Sequence, residues 1–559
     1  MSDGRNQSAI ASDPLKREFP RGFVIALWVL AGVCLLAFLG GPPSHRAQEA
    51  RVLVAAREML DGDWHRWLLP TCNGQLRLQK PPLPYWLSAA SFWVFGSVNE
   101  WTGRLPSAVF SWLTLGVVYL AGARWFNRRI GLLAAGMLLS SYLFFRHGRL
   151  AETDISATFF VCVSVACFGK AMDLAREGAG RWRMVQWFWL GGAAAGGAMM
   201  AKGVPGAFPI LFVLLLASMT RNWRGLKWFA LSGALPVAAV VAGPWYGYVW
   251  SSGNWEVLRR ELEVLAGGED HPGSLLDVVA GMFVGTAPWC AIWPVAIVVG
   301  IQQRKNQPRI GELLCWLAAV LGPILFVKNR QAHYLLPAMP PIMLLSAWLM
   351  DQATLPSCAP RLRDLLRWIV GITLGILFIG GIGLTGWGIA TRIGLATGGT
   401  ANFWWQTLSL GVGVTVLAAA SLRSFRVFGA IAGVWIGCLA VAVCLPWILG
   451  AWSDELEVSN IRDVAREVQF HRGVGPVVFY QSPPSLALAF ATRQNLPEVT
   501  GEAGLAELRL REPDATVLVE SKPADPAKAM PAGWALAWRG GPKGHYFQLF
   551  RPIGATPAP

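Results

Sequence analysis

The sequence predicts an all-α polytopic membrane protein with a small α/β region at its C-terminus. Three observations carry that prediction. Apolar runs of about 20 residues, enough to cross ~30 Å of hydrocarbon as a helix, recur from residue 22 to residue 450. Only 14% of the 559 residues are charged, against about 25% in an ordinary soluble domain, and the mean hydropathy is +0.43. After Asp454 the composition turns polar and the apolar runs shorten to strand and amphipathic-helix length. The long runs do not alternate as barrel strands do, and a backbone in lipid must satisfy its polar groups internally, which leaves helices.

Taken in order, thirteen spans are expected, near 22–41, 105–123, 130–145, 155–171, 186–201, 204–219, 226–249, 276–300, 311–327, 333–350, 366–388, 403–422 and 427–450. Alternate connectors support this count. One set holds the N-terminus, Arg124/Arg128/Arg129, Lys170/Arg176/Arg181/Arg183, Arg221/Arg224/Lys227, Arg304/Lys305/Arg309, Arg361/Arg363/Arg367 and Arg423/Arg426, and every member is basic. Basic connectors mark the cytoplasmic side. The N-terminus is then inside and the C-terminus outside. Residues 1–20 form a cytoplasmic tail, 21–452 the membrane domain with a first outer loop at 42–104, and 453–559 an extracytoplasmic domain. The formal charge of +15 is explained by these loops, so no nucleic-acid partner is expected. Nine cysteines lie mostly inside apolar runs, and no disulfide framework is implied. The first run follows Arg5, Lys16, Arg17 and Arg21 without a convincing cleavage site and reads as a retained helix.

Beyond the last span, Ser459–Phe470 reads as an amphipathic helix, Val477–Tyr480 as a strand, Ser485–Ala491 as a helix and Thr516–Glu520 as a strand. Trp534–Trp538 and Tyr546–Phe550 add two further strand candidates. No nucleophile motif, metal cluster or glycine-rich phosphate loop lies there, so a cap or recognition role is expected.

The unusual polar residues fall in the connectors assigned outside: Glu49, Arg51, Lys80, Asp154, Lys202, Arg259, Arg260, Glu261, His271, Lys328, Arg330 and His333. Cations kept on the disfavoured side near membrane depth are functional candidates. Gln48-Glu49-Ala50-Arg51 places a carboxylate two residues from a guanidinium, either a general base beside a phosphate clamp or an acid in a helix's first turn. In Leu78-Gln79-Lys80-Pro81-Pro82, the prolines present Lys80 on a stiff strut, and Pro84 can open an interfacial helix with Tyr85, Trp86 and Trp93. Asp154 can cap the helix that follows it or help in chemistry. Lys202 in Ala201-Lys202-Gly203 and the Lys328-Asn329-Arg330-Gln331-Ala332-His333-Tyr334 segment put further cations on the same side. Two such turns facing Lys80 form a candidate anion site; one alone would be explained by snorkelling. Glu261 and His271 are weak candidate ligands for a divalent metal, with no diagnostic spacing.

With these residues assembled, the chain resembles a bacterial lipid-carrier-dependent glycosyltransferase of the GT-C fold, of the aminoarabinose-transferase and protein O-mannosyltransferase kind. The resemblance covers roughly residues 22–350. It rests on the order and spacing of Glu49-Ala50-Arg51, Ala56-Arg57-Glu58-Met59-Leu60, Lys80-Pro81-Pro82-Leu83-Pro84, Asn99-Glu100-Trp101 with Arg104-Leu105-Pro106, Gly148–Asp154, Lys202-Gly203 and the Arg330–Pro341 segment. It implies a polyprenyl-phosphate sugar donor and an inverting transfer, on the outer face of the cytoplasmic membrane, to a lipid, glycan or protein acceptor. Because the family's usual base position is Gln48 here, Glu49 is expected to take that role, with Asp154 as helper or structural anchor. Arg51, Lys80, Lys202, Arg330 and Tyr334 bind the donor phosphate, with Gln48, Gln79, Lys328, His333, Arg259 and Arg260 as accessory residues. Gln48 and Gln79 stand where the family carries acids, and Glu261 falls near its metal-associated histidine. A non-catalytic protein that binds or moves lipid-linked sugars is the alternative.

Overall fold

The computed structural model describes residues 21–44, 46–256, 259, 274–327, 330–395, 403–452, 461–472, 475–521, 533–541 and 546–553. The expected tail at 1–20 and the candidates Arg260, Glu261, His271 and Lys328 lie outside the described residues.

The chain is mostly helical. Helix α1 (Arg21–Leu36) enters the bundle, and the connector expected as the first outer loop then builds α2 (Ala47–Asp61), the single-turn α3 (His65–Leu68), a hairpin of β1 (Thr71–Cys72) and β2 (Gln75–Leu76), and α4 (Leu83–Phe95). The bundle resumes with α5 (Glu100–Trp125), α6 (Arg128–Leu139), α7 (Tyr142–His147), α8 (Asp154–Glu177), α9 (Arg181–Lys202), α10 (Phe208–Thr220), α11 (Trp223–Leu231) and α12 (Ala234–Ser251). It continues through α13 (Leu275–Thr286), α14 (Ile292–Gln303), α15 (Pro308–Phe326), α16 (Met339–Gln352), α17 (Pro360–Arg392), α18 (Phe403–Phe428) and α19 (Ala430–Pro446).

Among the described residues, seven helices are long and apolar enough to cross a membrane, or eight if α11 and α12, bent by 43° at their junction, count as one span. The other expected windows also fall on helix: 186–201 lies within the unbroken but less apolar α9, and the rest are in shorter or broken pieces. The 130–145 window breaks at Ser140-Ser141 into α6 and α7, and the 276–300 window breaks between α13 and α14. The 204–219 window opens with a 3-10 turn, Val204–Ala207, before α10. Proline fixes several starts, at Pro209, Pro308 and Pro360, where the missing N–H costs nothing.

Glycine sets the spacing at α9. A Cβ on Gly192 would sit 2.2 Å from the Ala234 carbonyl oxygen and one on Gly197 2.7 Å from the Phe160 ring. The helix can therefore approach α12 and α8 only because those side chains are absent. Far from the outer loop, Asp173 binds Arg124 at 2.8 Å and Arg309 at 2.9 Å, tying α5, α8 and α15 together. Asp154 and Asp173 bound most of α8, so these two ends stand about 28 Å apart.

The C-terminal region contains α20 (Ile461–His471), β3 (Val477–Tyr480), α21 (Leu486–Ala491), β4 (Glu498–Val499), α22 (Gly501–Arg511), β5 (Thr516–Ser521), β6 (Trp534–Gly540) and β7 (Tyr546–Pro552). The strands form one sheet in the order β4-β3-β5-β7-β6, parallel across the first three and antiparallel across the last three. The four strands and two helices expected from sequence are present within a few residues; β4 and α22 were not anticipated.

One face of the sheet packs a cluster within this region, around Val478, Tyr480, Val517 and Phe550, while the other face is shared with the rest of the molecule. Val52, Leu53 and Ala56 of α2 and Phe92 of α4 share one buried cluster with Val464, Phe479, Leu488 and Leu549. Three polar clamps pin it to the outer loop. Buried Arg57 donates to the Ala489 carbonyl at 2.7 Å and to Asn495 Oδ1 at 2.6 Å. Asn73 exchanges two bonds with the Leu496 backbone, at 2.7 and 2.8 Å. Arg462 donates to the Gly40 and Gly41 carbonyls at 2.9 Å each and pairs with Glu100. Asn73 can do this because it and Gly74 form the two-residue turn of the β1–β2 hairpin, with φ of 56° and 77°.

Arg57→Met leaves the buried Ala489 carbonyl, the Gln494 carbonyl and Asn495 Oδ1 without their donor. Each hydrogen bond from a charged group is worth about 1.5–3 kcal/mol. The variant should lower the melting temperature and make the C-terminal region cleavable by trypsin. A wild-type melting curve and protease pattern would contradict the clamp.

Candidate active site

The residues that share the outer end of the bundle come from five separate segments. Leu78 is fully buried beside Trp245, Val249 and Met200, which seats the strut of residues 78–82 on α9 and α12. Trp245 and Trp86 donate their indole N–H groups to the Leu68 and Trp67 carbonyls, at 2.9 and 2.6 Å. The strut then holds Lys80 at the mouth of a cavity of about 90 Å³. Lys80, Asp154, Lys202 and Tyr334 are its polar wall, and Val204, Phe208, Pro323 and Ile324 are among its apolar residues. Lys202 is the last residue of α9, and the helix turns away at Gly203, whose φ of +79° suits glycine.

Asp154 does not cap α8 as the sequence suggested. Thr153 occupies the cap position without a side-chain bond, and Asp154 begins the helix and forms a buried ion pair with Lys202. The ammonium of Lys202 also lies 4.3 Å from the centroid of the Tyr334 ring. A cation held between a carboxylate and an aromatic face is fixed in position before any ligand arrives.

Glu49 stands in a different setting. It is buried in the first turn of α2, and its two oxygens take the fork of Arg104 at 2.7 and 2.9 Å. The Ala151 N–H adds a third bond at 3.0 Å. Arg104 also donates to the Leu39 and Pro42 carbonyls, at 2.9 and 2.7 Å. The fork therefore ties α2, α5, the chain after α1 and the turn before α8. Neighbouring Gln48 donates to Gln331 Oε1 at 3.1 Å.

A polar chain runs between Glu49's surroundings and the Lys80 cavity. Arg46 pairs with Glu152 at 2.9 Å, and Glu152 meets His147 Nδ1 at 2.7 Å. The His147 ring lies 5.7 Å from His333, which lies 4.8 Å from Tyr334. Arg46, His147, Glu152 and Arg104 were not among the residues expected from sequence.

The remaining candidates are dispersed. Arg51 does not line the Lys80 cavity; it lies close enough to Cys72 to act on its thiol electrostatically. That thiol is pushed up to about 11 by burial. Gln79 is exposed and bonds to Arg77. Arg330 donates to the Ile324 and Leu325 carbonyls, at 3.4 and 2.8 Å, at the C-terminal end of α15. Arg259 forms an exposed pair with Glu256 at 2.9 Å. Among the described residues, no group of three His, Cys, Asp or Glu side chains is arranged to hold a metal ion.

The cation-and-carboxylate cavity thus sits at one end of a multi-span helical bundle, beside the connector that holds α2–α4 and the small sheet. Comparison with known proteins shows what this chain is similar to. Residues 57–249 match the family model "Dolichyl-phosphate-mannose-protein mannosyltransferase". The chain is 32% identical over 368 residues to the undecaprenyl phosphate-alpha-4-amino-4-deoxy-L-arabinose arabinosyl transferase of Pectobacterium atrosepticum, covering 64% of this chain and 63% of that protein. The Pectobacterium carotovorum protein of the same name is 30% identical over 353 residues, covering 61% of each chain. The chain thus spans about three-fifths of the length of these curated relatives. The crystal structure of ArnT from Cupriavidus metallidurans in the apo state superposes with a TM-score of 0.72 at 19% identity, covering 94% of this chain and 98% of that one. Its complex with undecaprenyl phosphate gives 0.71 at 20% identity, covering 95% and 98%. The resemblance read from the sequence therefore holds: this chain is similar to the aminoarabinose transferases and has the ArnT fold.

The Glu49–Arg104 fork predicts a specific stability pattern. Removing one partner of a buried pair costs about 3–5 kcal/mol, while apolar replacement of both costs far less. Glu49→Gln and Arg104→Met should each lower the melting temperature markedly, and Glu49→Leu with Arg104→Met should recover most of the loss. Equal destabilisation by the single and double variants would refute the pairing.

Proposed function

We propose that the protein is a glycosyltransferase that moves a sugar from a polyprenyl-phosphate donor to an envelope acceptor on the outer face of the cytoplasmic membrane. The observation that carries this reading is the convergence of Lys80, Lys202, Tyr334 and Asp154 on one cavity with an apolar wall. Such a site suits a phosphate joined to a hydrocarbon chain: ammonium groups for the anion, and Phe208, Pro323 and Ile324 for the first isoprenes.

The reaction is an inverting displacement. The acceptor oxygen attacks the anomeric carbon as the bond from that carbon to the phosphate oxygen breaks. The leaving group is an anionic polyprenyl phosphate and needs charge stabilisation more than a proton. Lys80 and Lys202 supply that stabilisation in a site shielded from water. The acceptor proton passes to a carboxylate. We assign that role to Asp154 in place of Glu49, because Asp154 lines the cavity while both oxygens of Glu49 are held by Arg104. On donor binding, Lys202 shares its charge with the phosphate and loosens its grip on Asp154. Arg51 and Arg330 then act, if the donor reaches them, through its outer groups rather than at the breaking bond. Glu261 and His271 are the candidate ligands should a divalent metal bind. The non-catalytic reading, suggested by Gln48 and Gln79, predicts donor binding without turnover.

Transfer by protein reconstituted in liposomes with a polyprenyl-phosphate sugar tests this. Asp154→Asn should lower turnover about 10²–10⁴-fold, the usual effect of removing a general base, while donor binding persists. Lys80→Gln should weaken donor binding by about tenfold or more. Wild-type turnover in Asp154→Asn would overturn the assignment of the base.

The thirteen-span reading, with the N-terminus inside and residues 453–559 forming an outer domain, rests on the basic connectors and on the helical pieces found in every window. A membrane-impermeant maleimide on intact cells should label Glu502→Cys and reach Arg224→Cys only after permeabilisation. The reverse pattern would invert the topology.

A further inference from the structure

A second cavity, of about 220 Å³, lies at the outer end of α1, on the Arg104 side of the Glu49 fork. Its polar wall is Arg46, Arg104, Arg146, Arg149 and Glu49. Two of the four guanidiniums are neutralised, Arg104 by Glu49 and Arg46 by Glu152. The other two have no carboxylate partner among the described residues. Arg149 is 95% buried, since its exposure is only 5%. It donates to the Cys34 carbonyl at 2.9 Å and stacks on the Phe145 ring at 5.2 Å. Arg146 donates to the Tyr142 hydroxyl at 3.1 Å and lies over the face of that ring. Burial and the neighbouring Arg104 lower the Arg149 guanidinium to about 10, so it stays charged at neutral pH. A buried guanidinium without a counter-ion is costly, and such charges are ordinarily paired.

An apolar groove lies deeper along the same helices. It lies between α1, α5, α6 and α19, holds a cavity of about 60 Å³, and is lined by Trp28, Ala31, Leu115, Ala135, Trp435 and Ala442 among others. The same three elements wall both features. Ala442 of α19 lines the groove and Leu449, seven residues on, lines the arginine cavity, a separation of about 10 Å along the chain. Leu115 and Arg104 of α5 stand in the same relation, about 16 Å apart. Ala31 and Leu39 follow the same direction along α1 and its extension. Cations at the interface above an apolar slot are what an anionic amphiphile requires.

We infer that the arginine cavity and the groove below it form a second lipid site, distinct from the Lys80 cavity, which takes an amphiphile whose phosphate headgroup carries a net negative charge. The headgroup seats on Arg146 and Arg149, and an acyl chain descends along α1. Neither the donor assignment nor the base assignment enters this inference.

Delipidated full-length protein in detergent, titrated with dioleoylphosphatidylglycerol or dioleoylphosphatidylcholine and read by native mass spectrometry, tests it. Phosphatidylglycerol should be retained about tenfold more strongly, one charge-assisted contact's worth. Arg146→Gln with Arg149→Gln should abolish that preference, and Arg146→Lys with Arg149→Lys should keep part of it. Ala135→Leu, which fills the groove, should weaken retention with both arginines intact. Should the glutamine pair fail to fold, the lysine pair and Ala135→Leu carry the same test. Lys80→Gln should leave the preference unchanged; its loss there would place the lipid in the donor cavity and overturn the inference. Equal retention of the two lipids would do the same. So would full displacement by inorganic phosphate at the lipid's own concentration, which would make this a site for a free anion.

Discussion

The fork between Glu49 and Arg104 is the constraint on which the outer end of the molecule depends. Both partners are almost completely buried, and together they bind the Leu39 and Pro42 carbonyls and the Ala151 N–H. Helix α2 is thereby fixed to α5 and to the turn that leads into α8. Asp154 opens α8, so the fork sets the depth at which that carboxylate meets Lys202. A buried ion pair is weak evidence for net stability, since desolvation offsets much of its attraction. Its value here is geometric: the alternatives leave a charge unpaired, so the arrangement of four segments is specified.

From this fork the polar interior spreads in two directions. One leads through Arg46, Glu152, His147 and His333 to the cavity of Lys80, Lys202 and Asp154. The other opens at once into the cavity of Arg146 and Arg149. The C-terminal region closes the assembly from outside by sharing a hydrophobic cluster with α2 and by the clamps at Arg57, Asn73 and Arg462. It touches the back of α2 while Glu49 occupies the front. A shift of this region would therefore reach the site through α2 rather than through any side chain of its own.

The bundle was legible in the sequence because lipid imposes length and apolarity on every span, and both can be counted. Lys80, Lys202 and Asp154 were legible as polar residues kept at the outer side of apolar runs, and proline at 81 and 82 showed that Lys80 is held stiffly. What the sequence did not disclose was pairing. Glu49 and Arg104 are 55 residues apart, and nothing local marks one as the other's partner. The same distance problem hid Asp154's bond to Lys202 and made a helix cap look sufficient. Arg146 and Arg149 were not singled out from the sequence; Arg149 stood inside the Gly148–Asp154 motif, where Asp154 carried the reading. The Asn73-Gly74 turn carried a strong local signal for a hairpin and went unread because the strands beside it are only two residues long. Strand β4, also two residues, and α22, which has no apolar face, lack the periodicity that marks longer elements.

The central claim is that the Lys80, Lys202 and Asp154 cavity receives the phosphate of a polyprenyl carrier. A cryo-electron-microscopy structure of the full chain with undecaprenyl phosphate tests it most directly. The claim predicts phosphate density within hydrogen-bond reach of both Lys80 and Lys202, with the isoprenoid chain leaving past Phe208 and Ile324. Phosphate density at Arg146 and Arg149 instead, with the Lys80 cavity empty, would contradict it.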